Sequence, residues 1–117
     1  TRGKVISVFG CGGDRDTTKR PIMGQISANI ADFTIITSDN PRTEKPEEIV
    51  KQIEEGAKKT KRKYICLVDR TEAIKYAINM ATKTDIIVLA GKGHETYQEI
   101  NGVKNHYDER EIIKEVI

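Results

Sequence analysis

Four short apolar runs recur along the chain: Val5-Ile6-Ser7-Val8-Phe9, Phe33-Thr34-Ile35-Ile36-Thr37, Tyr64-Ile65-Cys66-Leu67-Val68 and Ile86-Ile87-Val88-Leu89-Ala90. Each is apolar on both faces and rich in β-branched residues, the pattern of a strand buried within a parallel sheet. Between them the spacing becomes helical. Pro21 suits a first helical turn, and Ile22, Ile26 and Ile30 then recur every fourth residue. Pro46-Glu47-Glu48 opens a second helix with acidic residues at its positive end, and Ile49, Ile53 and Ala57 form its inward stripe. Asp69 with Glu72 reads as a capping-box variant. Ala73, Ala77 and Ala81 beside Ile74 and Ile78 then give a third helix a small-residue face for close packing.

Strands alternating with helices of this length predict βαβ units joined by right-handed crossovers. The last third departs from that rhythm. Thr96 to Ile100, Asn101-Gly102 and Val103 to Tyr107 read as a hairpin with a type I′ turn, after which Asp108 and Glu111 cap a short helix carrying Ile112, Ile113 and Val116. The expected fold is α/β: a Rossmann-like three-layer sandwich whose sheet is mostly parallel, with an antiparallel C-terminal hairpin at one edge.

Length and composition narrow the picture. The 117 residues suit one domain with one core. A net charge of +2 is too small to indicate a nucleic-acid or membrane partner, and no apolar stretch approaches the ~20 residues of a membrane span. The run Lys58-Lys59-Thr60-Lys61-Arg62-Lys63 follows a helix end, where positive charge is favourable, and it lacks interleaved aromatics. Cys11 and Cys66 are far apart with no CxxC pairing, which favours reduced thiols in a cytoplasmic protein over a disulfide or a metal site. The chain opens at Thr1 and enters a strand almost at once, so it reads as a segment of a longer polypeptide.

In open α/β sheets ligands bind beyond the carboxyl ends of the strands, and the polar clusters of this chain fall there. They are Gly10-Cys11-Gly12-Gly13-Asp14-Arg15-Asp16, Ser38-Asp39-Asn40-Pro41-Arg42 and Gly91-Lys92-Gly93-His94-Glu95. Together they suit a zwitterion: Arg15 and Arg42 can each take a carboxylate bidentately, Glu95 or Asp39 can hold an ammonium, and Asn40 can both donate and accept. Each cluster also has a plainer reading. Gly10-Cys11-Gly12 fits a tight strand-to-helix turn as well as a ligand contact, and the third glycine of a dinucleotide fingerprint is replaced by Arg15. Gly91-Lys92-Gly93 lacks the spacing and the following Ser or Thr of a phosphate-binding P-loop, so an independent ATPase is not indicated. Asp39-Asn40-Pro41-Arg42 has the composition of a turn. His94 has no evident partner, Asp69-Arg70 lies at a strand end where capping accounts for Asp69, and Cys11 is best placed for turn or core packing.

Three of these segments, in order and in register, carry a family resemblance. Phe9-Gly10-Cys11-Gly12-Gly13-Asp14-Arg15-Asp16 with Lys19-Arg20-Pro21-Ile22-Met23 resembles the opening of the C-terminal domain of the UDP-N-acetylmuramoyl-tripeptide synthetases of the Mur ligase family. Thr37-Ser38-Asp39-Asn40-Pro41-Arg42 resembles the motif by which those enzymes select their amino acid. Ala90-Gly91-Lys92-Gly93-His94-Glu95 with Tyr97-Gln98 resembles their third signature.

The resemblance implies an ATP-dependent ligase of peptidoglycan synthesis, cytoplasmic and monomeric, with no nucleic-acid or membrane partner. In that family ATP phosphorylates the γ-carboxylate of D-Glu in UDP-N-acetylmuramoyl-L-Ala-D-Glu, and the amine of a diamino acid attacks the acyl phosphate. ATP, Mg2+ and the UDP-sugar are bound mainly by two earlier domains that this chain lacks. It is therefore expected to hold neither cofactor nor metal, and to be inactive alone. Matching positions imply that Arg15, Asn40 and Arg42 bind the diamino acid, that Asp39 and Pro41 shape the loop, and that the Gly91 carbonyl and Glu95 meet the distal ammonium. The Asp-Asn-Pro-Arg form is associated with meso-2,6-diaminopimelate; lanthionine has the same two ends and could also fit. A stand-alone diamino-acid sensor would use the same contacts, and a dinucleotide-dependent oxidoreductase would use the same topology.

Overall fold

The computed structural model describes residues 3–11, 17–40, 43–82, 84–90, 97–100 and 103–106. In chain order the elements are β1 (Val5–Phe9), α1 (Lys19–Ile30), β2 (Phe33–Ile36), α2 (Pro46–Ala57), a 3-10 turn (Lys58–Thr60), β3 (Lys63–Cys66), α3 (Arg70–Met80), β4 (Ile86–Ala90), β5 (Tyr97–Ile100) and β6 (Val103–His106). β1 to β4 form one parallel sheet in the order β3-β2-β1-β4. β5 pairs antiparallel with β6 in a two-stranded sheet of its own, so among the described residues this pair does not extend the edge of the main sheet as expected. The expected type I′ turn at Asn101-Gly102 and the terminal helix from Asp108 lie outside the described residues.

Helices pack on both faces of the sheet, which makes three layers. On one face Phe9 and Ile36 pack with Ala28 of α1 and with Ile49, Val50, Ile53 and Ala57 of α2. On the other, Ile6, Val8 and Ile35 pack with Ala73 and Ala77 of α3. The alternating side chains of β1 thus serve both layers, as its nearly continuous apolar run requires.

The helix starts follow their local chemistry. Pro46 opens α2, with Glu47 and Glu48 in its first turn, and Ile49, Ile53 and Ala57 face inward. Asp69 caps α3, its Oδ1 accepting from the amides of Thr71 (2.9 Å) and Glu72 (3.2 Å). The basic run forms the exposed turn after α2, where Lys61 takes the left-handed conformation at φ 60°.

α1 differs from expectation. Ile22, Ile26 and Ile30 are 55, 52 and 74% exposed, and the face turned inward carries Arg20, Gly24 and Ala28 instead. The reason is how closely α1 lies on α2. A Cβ on Gly24 would stand 2.2 Å from the Ile53 carbonyl oxygen, and one on Gly56 would stand 1.6 Å from that of Pro21. A face of large isoleucines cannot approach a neighbouring backbone so tightly. Ile26 and Ile30 of the displaced stripe, with Met23, border an apolar hollow of about 410 Å3 beside β1 and Val88.

Candidate functional site

The four parallel strands end level with one another: Phe9 pairs with both Ile36 and Ala90, and Ile36 pairs with Cys66. The chain runs outward from β1 through β2 to β3 and then returns to place β4 on the other side of β1. The order of connection therefore reverses between β1 and β4, the position at which open α/β sheets leave a crevice for a ligand. The segments following β1, β2 and β4 all start along this stretch of edge.

Of the seven candidate residues, Asp39 and Asn40 are within the described part, and both are buried at the exit of β2, Asn40 to 2% exposure. Arg15, Pro41, Arg42, Gly91 and Glu95 lie outside the described residues, as does His94. For two polar side chains to be excluded from water at a sheet edge, the surroundings must satisfy them. The backbone at the β2 exit is fixed from both sides. The Thr37 amide donates to the Phe9 carbonyl (2.9 Å). On the other side the Ser38 amide (3.3 Å) and the Thr37 hydroxyl (3.2 Å) both donate to the Val68 carbonyl. Gly10 brings the β1 exit against the same segment: a Cβ there would meet the Thr37 carbonyl oxygen at 2.3 Å and the Asp39 nitrogen at 3.0 Å. Gly10 thus has a packing reason, and the first two candidate loops start in mutual contact.

Two buried arginines complete the surroundings. Arg20, at the start of α1, donates through Nη1 and Nη2 to the two carboxylate oxygens of Glu44 (2.9 and 2.7 Å), and Nη1 also donates to Gln52 Oε1 of α2 (2.8 Å). Arg70, the first residue of α3, donates through Nη1 to the Ser38 carbonyl (3.1 Å). Hydropathy pattern cannot reveal either arginine, because it assigns every arginine to the surface. The available signals were Lys19-Arg20-Pro21 within the first family motif and Arg70 beside the capping Asp69.

Cys11 lies in this corner as well. Burial pushes its thiol up, the Arg20 cation opposes that shift and the Asp39 carboxylate adds to it. Its Sγ lies 3.9 Å from the Met23 sulfur, so it acts as packing. Among the described residues no cluster of three or more His, Cys, Asp or Glu side chains could hold a metal ion, and no helix is long and apolar enough to cross a membrane. The sequence carries no P-loop signature.

Comparison with known proteins agrees with this geometry. The family described as "Mur ligase, glutamate ligase domain" matches residues 1–93. The chain is 58% identical over 115 residues to the UDP-N-acetylmuramoyl-L-alanyl-D-glutamate–2,6-diaminopimelate ligase of Clostridioides difficile, covering 98% of this chain and 24% of that protein. The protein of the same name from Cytophaga hutchinsonii is 51% identical over 115 residues, with 97 and 24% covered. A solved structure of a ligase so named superposes with a TM-score of 0.91 at 46% identity, covering 97% of this chain and 23% of that one. The chain thus spans about a quarter of the length of the relatives it matches. With the motifs, the parallel sheet and the matched sequence in agreement, the chain belongs to the Mur ligase family.

Proposed function

We propose that this domain recruits meso-2,6-diaminopimelate for an ATP-dependent ligase that joins it to UDP-N-acetylmuramoyl-L-Ala-D-Glu in peptidoglycan synthesis, in the cytoplasm and as a monomer. The carrying observation is the buried Asp39-Asn40 pair at the exit of β2, beside the reversal point of the sheet, with the other candidate segments following β1 and β4. The names of the relatives support the choice of amino acid and acceptor.

Activation of the D-Glu γ-carboxylate, the chemistry that ATP and magnesium supply, belongs to domains outside this chain. This domain contributes binding and aim. Arg15 and Arg42 take carboxylates as guanidinium forks, Asn40 donates and accepts beside them, and the Gly91 carbonyl and Glu95 hold the distal ammonium. Asp39 and Pro41 set the shape of the loop. With the distal stereocentre held through its charges, the other amine is left to attack the activated carbonyl and form the amide.

The second carboxylate decides specificity. Lysine lacks it and would leave a buried guanidinium facing a methylene chain, a cost that an ion pair with diaminopimelate removes. Lanthionine presents the same two ends and shares this recognition.

The test is incorporation of labelled meso-diaminopimelate by a full-length enzyme carrying this domain. Arg42→Ala removes one partner of the proposed charged contact, and since losing one partner of a buried charged pair typically costs about 2–5 kcal/mol, it is expected to raise KM for diaminopimelate far more than KM for ATP. Arg42→Lys is expected to be damaging too, since an ammonium cannot reproduce the fork. An unchanged diaminopimelate KM in both variants would exclude Arg42 from the site.

A further inference from the structure

Arg20 and Arg70 are each only 1% exposed, yet each stands at the beginning of a helix. A cation there faces the positive end of the helix dipole and is placed unfavourably, so helix stability does not account for either residue. Core packing does not account for them either, since a buried ion pair is commonly no more stabilising than apolar side chains of similar volume. What the two share is a target. Arg70 donates to the carbonyl of Ser38, the residue immediately before Asp39-Asn40-Pro41-Arg42, and Arg20 grips Glu44, two residues beyond Arg42. The Arg20 fork is bidentate, the arrangement that fixes orientation as well as distance, and Gln52 of α2 holds the same guanidinium.

We infer that Arg20 and Arg70 are positioning residues that brace the Asp39–Arg42 loop at its two ends, Arg20 through Glu44 and Arg70 through the Ser38 carbonyl, so that the loop meets its diamino acid already formed. The inference rests on the function proposed above. Contacts from α3 to Ser38 and from α1 to Glu44 fix the two ends of a segment with five residues between them, and preorganisation of that kind raises affinity without adding a contact. Neither arginine needs to touch the substrate.

Kinetics of the full-length enzyme separate this role from a merely structural one. Glu44→Gln keeps the size of the side chain and removes the charge that completes the fork; Glu44 is 28% exposed, so the variant is milder than truncating Arg20. Glu44→Gln and Arg20→Lys are each expected to raise KM for diaminopimelate by about tenfold to a hundredfold, the usual effect of misplacing a binding group by roughly an ångström. KM for ATP is expected to stay unchanged. A purely structural role would lower the active fraction, and so the apparent kcat, with both KM values unchanged; that result in the folded Glu44→Gln enzyme would overturn the inference. Arg42→Ala in the same assay distinguishes the two readings. If it raises the diaminopimelate KM while Glu44→Gln does not, only the brace fails. If Arg42→Ala has no effect, the loop is not the diamino-acid site and both fail.

Discussion

Asn40 and Arg20 lie close to water in sequence-based reasoning and away from it in the folded chain. Asn40 sits in a segment with the composition of a turn, so the residues alone favour a turn, and the family motif is needed to single it out as part of a binding loop. Arg20 belongs to a motif that gives it no role, because its partners Glu44 and Gln52 are 24 and 32 residues away and no local pattern links them. Asp69 was legible because a cap is a local device, satisfied two and three residues further on. Cys66 gives a residue-scale prediction. Burial first, then the Glu54 carboxylate and its hydrogen bond, push its thiol from 9.0 up to about 11. The folded state therefore favours the neutral thiol. Its contribution to stability is complete below about pH 9 and is lost as pH rises through about 11. Denaturant unfolding of the domain at a series of pH values is expected to show a steeper loss across that window than the Cys66→Ala variant shows. Parallel curves would mean the thiol titrates alike in both states.

At the scale of elements, strands and helix starts were readable because their signals are local: apolar runs rich in β-branched residues for the strands, Pro46 with two glutamates for α2, Asp69 for α3. The inward face of α1 was not. Ile22, Ile26 and Ile30 make a regular apolar stripe, but the face against α2 is selected by how closely two helix backbones can approach, and that depends on Gly24 and Gly56 together. Hydrophobic period registers size and polarity; it does not register the need for an absent side chain. Gly56→Ala tests this. In an open helix the change would stabilise by about 1 kcal/mol, since alanine is the better helix former. Here the new methyl would meet the Pro21 carbonyl oxygen at 1.6 Å, so α1 and α2 must separate. Overpacking of that kind costs about 1–3 kcal/mol, and the urea midpoint is expected to fall. A raised midpoint would show that the two helices are free to part.

For the whole molecule, the alternation of strand and helix was sufficient to reach the parallel sheet and its three layers, since right-handed crossovers leave few other arrangements. The relation of β5 and β6 to that sheet was not, because strand pattern identifies a pair without saying which edge it joins. The family was legible through three motifs in order, carried by the segments that follow β1, β2 and β4. The domain covers about a quarter of its relatives, so the central claim concerns what it recruits for a larger enzyme. The most direct measurement is phosphate release by the full-length enzyme with ATP, magnesium and UDP-N-acetylmuramoyl-L-Ala-D-Glu, comparing meso-diaminopimelate with L-lysine. Release that depends on diaminopimelate and is much weaker with lysine is the predicted result; release favouring lysine, or none with either amino acid from folded enzyme, would contradict it.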